Sequence, residues 1–163
     1  MNHFYWDASA LVKRYAPEIG TPLVNYLFSN AAPDRMMCLT LSIGEVISVF
    51  VRKENANLIT EASFAQAMTD FRAEVVDSAG FKLAVVENTL VFASHPLIEQ
   101  HSINATDALV LRSALDAATL LQQVGNNVVL VTSDLRLLHA AQTEGVKTFN
   151  PETDSQTQLD ALI

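Results

Sequence analysis

Short, continuously apolar runs alternate with longer amphipathic segments along almost the whole chain. The apolar runs predict five strands, at 4–6, 36–41, 81–85, 128–132 and 146–149. The segments between them repeat apolar residues at helical spacing, and the longest predicted helices lie at 61–76, 87–100, 105–123 and 134–144. Because the strands are apolar throughout instead of alternating, the pattern favours an α/β fold with a mostly parallel five-stranded sheet and helices on both faces.

Local features predict where particular elements begin, bend or end. Ser9 is a predicted N-cap for the first helix, and 42–45 has the form of a capping box that starts another helix. Pro96 predicts a kink or division in the helix that contains it. We find no repeat or linker, so we expect a single domain over 1–151, followed by a polar C-terminal tail at 152–163.

The composition indicates a folded globule. The chain has 163 residues, of which 50% are hydrophobic and 17% are charged, enough to bury a substantial core. Cys38 is the only cysteine, which excludes an internal disulfide and a cysteine metal cluster. No apolar run approaches a membrane span, and the N-terminus lacks the features of a secretory signal. We therefore expect a cytoplasmic protein.

The charge balance restricts the function classes. The formal net charge is −8, from 18 acidic and 10 basic side chains, which argues against a protein that coats nucleic acid with a basic face. It does not exclude a nuclease, because part of the acidic excess can belong to a metal site whose cation cancels it locally.

Four acids lie at strand ends or helix starts. Asp7 ends the first strand, and Asp134 follows the 128–132 strand by two residues. Glu45 and Asp107 lie in the first turns of predicted helices. Ligands of open α/β sheets bind at such positions, so we expect the four carboxylates at one edge of the sheet. Clustered carboxylates repel one another unless a cation binds them, and oxygen-only ligands suit Mg²⁺ or Mn²⁺. Such a cation supports hydrolysis of a phosphodiester.

Each acid taken alone also has a structural explanation. An acid in the first turn of a helix gains roughly 0.3–1 kcal/mol from the helix dipole, and both Glu45 and Asp107 occupy capping positions. Dipole stabilisation does not require all four acids to lie on one side of a sheet, so their joint placement favours a functional site. Glu54 and Asp116 follow these two acids by nine residues, which places them on the opposite helix faces.

Four segments resemble, in the same order, the motifs of PIN-domain proteins of the VapC toxin type. They are Tyr5 to Tyr15, Ser42 to Val46, Asn104 to Leu109 and Val131 to Leu138. The resemblance implies a five-stranded parallel sheet and a Mg²⁺- or Mn²⁺-dependent endoribonuclease. It also implies a homodimer and a small antitoxin protein as partner.

The resemblance also implies roles for individual residues. Asp7 and Asp107 would bind the metal directly, with Asp134 adjacent and Glu45 acting through water. Ser9 and Thr132 would orient the carboxylates or waters. Six basic residues follow the acidic motifs and could form a basic rim: Lys13, Arg14, Arg52, Lys53, Arg112 and Arg136. The chain is longer than the compact toxins, and we expect the excess at 55–80.

The leading hypothesis is a metal-dependent endoribonuclease that cuts structured or single-stranded RNA as the toxin of a toxin–antitoxin pair. The alternative is a non-catalytic PIN-fold module that binds a protein partner, and a third candidate is a metal phosphatase of small molecules. The four histidines show no zinc-ligand spacing, and the chain lacks the glycine-rich nucleotide motifs and the serine-hydrolase elbow.

Overall fold

Five strands form one sheet in the order β3-β2-β1-β4-β5 in the computed structural model, which describes residues 1–163. The strands are β1 (Asn2–Trp6), β2 (Met36–Leu39), β3 (Lys82–Ala84), β4 (Asn127–Val131) and β5 (Lys147–Phe149). All four strand pairs are parallel. The predicted five-stranded α/β sheet is therefore confirmed, and it is parallel throughout.

Helices supply the connections that a parallel sheet requires. They are α1 (Ala8–Leu11), α2 (Thr21–Asn30), α3 (Thr40–Asn55), α4 (Glu61–Phe71), α5 (Asn88–His101), α6 (Ala105–Gln122), α7 (Leu135–Thr143) and α8 (Gln156–Asp160). Helix α4 continues into a wider π-helical turn at Arg72–Val76. None of these helices combines the length and the apolar character that a membrane span needs.

Both faces of the sheet are covered, as predicted, because successive side chains of each strand point to opposite faces. Phe4 and Trp6 of β1 belong to one apolar cluster, which includes residues of α1 to α4 and α8. Tyr5 belongs to the second cluster, with residues of α5, α6 and α7. All three aromatic side chains are fully buried, which is why the 4–6 segment of β1 is apolar at every position.

The order of the strands creates a crevice at the carboxyl ends of β1 and β4. From the central strand β1 the chain adds β2 and β3 on one side, and it then returns to add β4 and β5 on the other side. The connections that follow β1 and β4 therefore diverge, and open α/β sheets bind ligands at such a switch point.

Two predicted helix starts are wrong, by two residues in α1 and by three in α3, so Glu45 lies in the second turn of α3 and not in its first. Asp7, not Ser9, is the N-cap of α1, and its side chain accepts a hydrogen bond from the Ser9 amide. Helix α3 begins at Thr40 directly after β2, so Ser42 lies inside the helix and the predicted capping box does not form. The Ser42 side chain is buried instead, and its hydroxyl has no hydrogen-bond partner.

Helix α5 runs without a break through Pro96, so the predicted division does not occur. A proline inside a helix costs about 3 kcal/mol because it removes one hydrogen bond and crowds the preceding turn. Ser94 and Leu97 flank this position and are buried, so tertiary packing of α5 offsets that cost.

The C-terminal segment 152–163 is part of the folded domain, so the prediction of a polar tail is wrong. Leu159 of α8 is fully buried in the larger apolar cluster. Asn2 donates a 2.9 Å hydrogen bond to the Leu162 carbonyl, and Arg35 donates one of 2.9 Å to the Ile163 carbonyl. One buried leucine among polar neighbours was too sparse a pattern to predict this helix.

Candidate active site

A cleft of about 600 Å³ opens at the switch point. All four acids that the sequence analysis selected line this cleft, together with Ser9, Asn104 and Arg52. The predicted meeting of the acids at one edge of the sheet is therefore observed, although their segments are far apart in the chain.

Asp7 is the most firmly held of the four acids. Its Oδ2 atom accepts hydrogen bonds from the Ser9 amide at 3.1 Å, from the Ser9 hydroxyl, and from Thr132 Oγ1 at 3.0 Å. Thr132 Oγ1 in turn accepts from the Asp134 amide at 3.1 Å, and Ser9 Oγ accepts from the Ser133 amide at 2.9 Å. This network fixes the carboxylate at the junction of β1 and β4, as the supporting roles assigned to Ser9 and Thr132 require.

Asp107 is held by the residue that caps its helix. The Asn104 side chain accepts from the Asp107 amide at 2.8 Å and donates to Asp107 Oδ2 at 2.8 Å. Asn104 was noted from the sequence only as the first residue of the motif segment that ends at Leu109, and its contact with the carboxylate was not predicted. The spacing of three residues between an N-cap asparagine and an acid was the available clue.

Asp134 caps helix α7, and Glu45 projects from α3. Asp134 Oδ1 accepts from the backbone amides of Arg136 at 2.8 Å and Leu137 at 3.0 Å. Glu45 has no such support, since its Oε2 atom is buried and accepts no hydrogen bond. A buried carboxylate oxygen without a partner is unfavourable unless a proton or a cation satisfies it.

The three aspartates share one arrangement. In each, these hydrogen bonds engage a single carboxylate oxygen: Oδ2 of Asp7, Oδ2 of Asp107 and Oδ1 of Asp134. The second oxygen of each carboxylate accepts none of these bonds.

Burial raises the pKa of three of the acids, and neighbouring carboxylates add to the shift in two of them. Burial, and then the charges of Asp7 and Asp107, raise the pKa of Glu45 to about 7. Burial, and then the charges of Asp134 and Asp7, raise the pKa of Asp107 to about 6. Burial also raises the pKa of Asp7, against the opposing effect of hydrogen bonds from Ser9 and Thr132. The cleft therefore concentrates negative charge that a cation would stabilise.

The fit to a metal ion depends on how many ligands the protein must supply. No group of three or more acidic, histidine or cysteine side chains is arranged to hold a metal ion. The donor set consists of carboxylate oxygens, which suit Mg²⁺ or Mn²⁺. Mg²⁺ usually keeps several waters and binds through one or two carboxylates and phosphate oxygens of the substrate. The residues fit such a hydrated cation, but not one enclosed by protein ligands.

The predicted basic rim does not form as a whole. Four of its six members are held in ion pairs: Lys13 with Glu18 and Glu152, Lys53 with Glu18, Arg14 with Glu74, and Arg112 with Asp116. Of the six, only Arg52 lines the cleft. Arg136 is exposed and close enough to lower the pKa of Asp107. The two acids placed on opposite helix faces, Glu54 and Asp116, lie outside the cleft lining.

Comparison with known proteins identifies the fold and leaves the family open. No protein-family model matches the chain, and no curated protein matches it. The crystal structure of PAE2754 from Pyrobaculum aerophilum is similar to this chain, with a TM-score of 0.66 and 16% sequence identity over 99% of this chain and 98% of that one. This likeness shows a shared fold. Membership of the PIN family stays a prediction from the sequence motifs.

Proposed function

We propose that this protein is a metal-dependent endoribonuclease of the PIN type, which hydrolyses phosphodiester bonds of RNA in the cleft. The observation that carries the proposal is the anchored carboxylate of Asp7, held by Ser9 and Thr132 at the switch point and sharing its cleft with three further acids. Helix capping explains neither this convergence nor the buried, unpartnered oxygen of Glu45.

The side chains suit distinct tasks in such a reaction. Asp7 and Asp107 would hold Mg²⁺ or Mn²⁺ through their second oxygens, with Asp134 adjacent. When bound, the cation orients the attacking water and neutralises charge on the phosphate. Glu45 has a pKa of about 7, so it can accept a proton from the attacking water near neutral pH. Ser9 and Thr132 keep the Asp7 carboxylate in place.

The cellular role follows from the motif resemblance. We propose a cytoplasmic toxin of a toxin–antitoxin pair, acting as a homodimer and inhibited by a small antitoxin protein. A second candidate, a non-catalytic PIN-fold interaction module, is favoured by one observation: no three acids are arranged as a metal-ligand group.

The decisive experiment is an RNA cleavage assay with the purified protein in Mg²⁺, in Mn²⁺ and in EDTA. Asp7→Asn removes a proposed ligand, and we expect it to lower the rate by more than roughly 100-fold, beyond the 10- to 100-fold typical of residues that only support a ligand. Asp116→Asn is the matched control, because this exposed aspartate lies outside the cleft.

Each result separates the candidates. Cleavage that requires the cation and Asp7 supports the endoribonuclease. Equal cleavage by wild type and Asp7→Asn would refute the assignment, and no cleavage in either cation favours the interaction module. Hydrolysis of a generic phosphomonoester without RNA cleavage would instead indicate a small-molecule phosphatase.

A further inference from the structure

One face of helix α3 forms a wall of the cleft that leads away from the acids. Gly44, Glu45, Ser48 and Arg52 all line the cleft and follow one another at helical spacing. Glu45 and Arg52 are seven residues apart, which places them about 10 Å apart along the helix axis. The wall therefore runs from the acidic centre to a basic side chain.

Arg52 is the only basic residue that lines the cleft. It is exposed and forms no ion pair, in contrast to its neighbour Lys53, which pairs with Glu18 at 2.6 Å. The guanidinium is thus available to an anion that enters the cleft.

Gly44 provides a second observation on the same wall. It lies in the interior of α3, where glycine is unfavourable relative to alanine. Protein packing does not require glycine here, because a Cβ atom at this position would meet nothing within 4 Å. The open space belongs to the cleft, so the missing side chain leaves room for close approach of a ligand to the helix backbone.

We propose that this wall of α3 is a subsite for the sugar–phosphate backbone of single-stranded RNA, in which Arg52 binds a phosphate that flanks the scissile one. The proposal rests on the endoribonuclease function and specifies its substrate. A single strand suits the site because the cleft has one guanidinium, which can bind the phosphates of one backbone only. A duplex carries one charge per about 1.7 Å of helix axis, and the acidic cleft and the net charge of −8 would repel it more strongly.

The test compares a single-stranded RNA decamer with a dinucleoside monophosphate, which has only the scissile phosphodiester. For Arg52→Ala we expect a loss of about 10-fold in kcat/KM on the decamer beyond its loss on the dinucleoside, mainly through KM, because a charge-assisted phosphate contact is removed. Arg52→Lys should recover part of the loss. Arg72→Ala is the control, since Arg72 is exposed, lacks an ion pair and lies outside the cleft.

Binding of a labelled decamer, measured by fluorescence anisotropy in EDTA, provides a readout without cleavage. The slope of log K against log salt concentration should differ between wild type and Arg52→Ala by about 0.7, the value for one phosphate contact on a single strand. Gly44→Ala should raise the midpoint of thermal unfolding and weaken decamer binding, a combination that a purely structural glycine would not produce.

The outcomes separate this proposal from the nuclease proposal. Cleavage that depends on Asp7 but is unchanged in Arg52→Ala overturns the subsite and leaves the nuclease. Decamer binding that depends on Arg52 without any cleavage supports phosphate binding by Arg52 and overturns the nuclease. Tighter binding of duplex than of single strand, equal binding by wild type and Arg52→Ala, or no measurable binding by either also overturns the subsite.

Discussion

Thr132 donates a 3.0 Å hydrogen bond to Asp7 across 125 positions of sequence. The bond joins the residue that follows β4 to the residue that follows β1, and these strands are neighbours in the sheet. Asp7 is also joined to β4 through its backbone, because its amide donates to the Val131 carbonyl at 3.0 Å. The orientation of the central carboxylate thus depends on the pairing of these two strands.

Loss of the Thr132 hydroxyl should weaken the metal site. Thr132→Val keeps the shape of the side chain but removes the donor to Asp7 and the acceptor for the Asp134 amide. We expect Mn²⁺ affinity to fall by roughly 10- to 100-fold, as for other residues that orient metal ligands. Isothermal titration with Mn²⁺ measures this directly. Thr119→Val, on the exposed surface of α6, is the control, and equal affinity in the two variants would contradict the supporting role.

The stability of the metal-free protein should fall between about pH 5 and pH 7.5. The pKa of Glu45 is raised from 4.5 to about 7, and that of Asp107 from 3.8 to about 6. A carboxyl group with a raised folded-state pKa favours folding at low pH, and this contribution disappears as the pH rises through that value. After a discount for solvent screening we expect the two groups to account for about 2 kcal/mol. Urea unfolding in EDTA at both pH values measures the change.

A comparison of variants isolates this effect. Burial lowers the pKa of His3 from 6.5, so His3 has the opposite influence and favours folding as the pH rises through that range. Glu45→Gln should therefore reduce the fall in stability between pH 5 and pH 7.5, while the contribution of His3 is the same in both proteins. Mn²⁺ should stabilise the wild type more at pH 7.5 than at pH 5, because the carboxylates must be ionised to bind it. A pH profile identical in wild type and Glu45→Gln would disprove the raised pKa of Glu45.

The C-terminal helix should contribute to global stability. Leu159→Ala removes a fully buried side chain, and we expect a loss of about 2–5 kcal/mol in the free energy of unfolding. Leu58→Ala is the control, since Leu58 is 73% exposed. Chemical denaturation of both variants distinguishes a docked helix from a loose tail, for which the two losses would be equally small.

The buried ammonium of Lys13 should also be important for folding. Only 2% of Lys13 is exposed, and its Nζ atom lies 2.7 Å from Glu18 and 2.6 Å from Glu152. Lys13→Ala leaves these carboxylates without their shared partner, and we expect a destabilisation of about 3 kcal/mol. Lys147→Ala, at an exposed position without an ion pair, provides the comparison in a thermal unfolding series. Equal melting temperatures of the two variants would show that the buried ion pairs of Lys13 do not contribute to stability.

The sequence alone determined the class of fold and the identity of the acids. Parallel strands that are buried on both faces have nearly continuous apolar sequences, so a run such as 128–131 can be recognised without tertiary information. The acids are recognisable because each one lies near the end of a predicted strand or the start of a predicted helix, and a parallel sheet brings such positions to one edge. These inferences need only local pattern and the periodicity of the backbone.

Tertiary structure decided the ion pairs, the core contacts and the hydrogen bonds that join residues distant in the chain. It determined that Lys13 pairs with Glu18 and Glu152 while Arg52 stays free, although both bases follow acidic motifs. It also determined that Leu159 completes the core and which oxygen of Asp7 is already engaged. Charge pairing and burial are set by the three-dimensional neighbours of a side chain, and local sequence does not specify those neighbours.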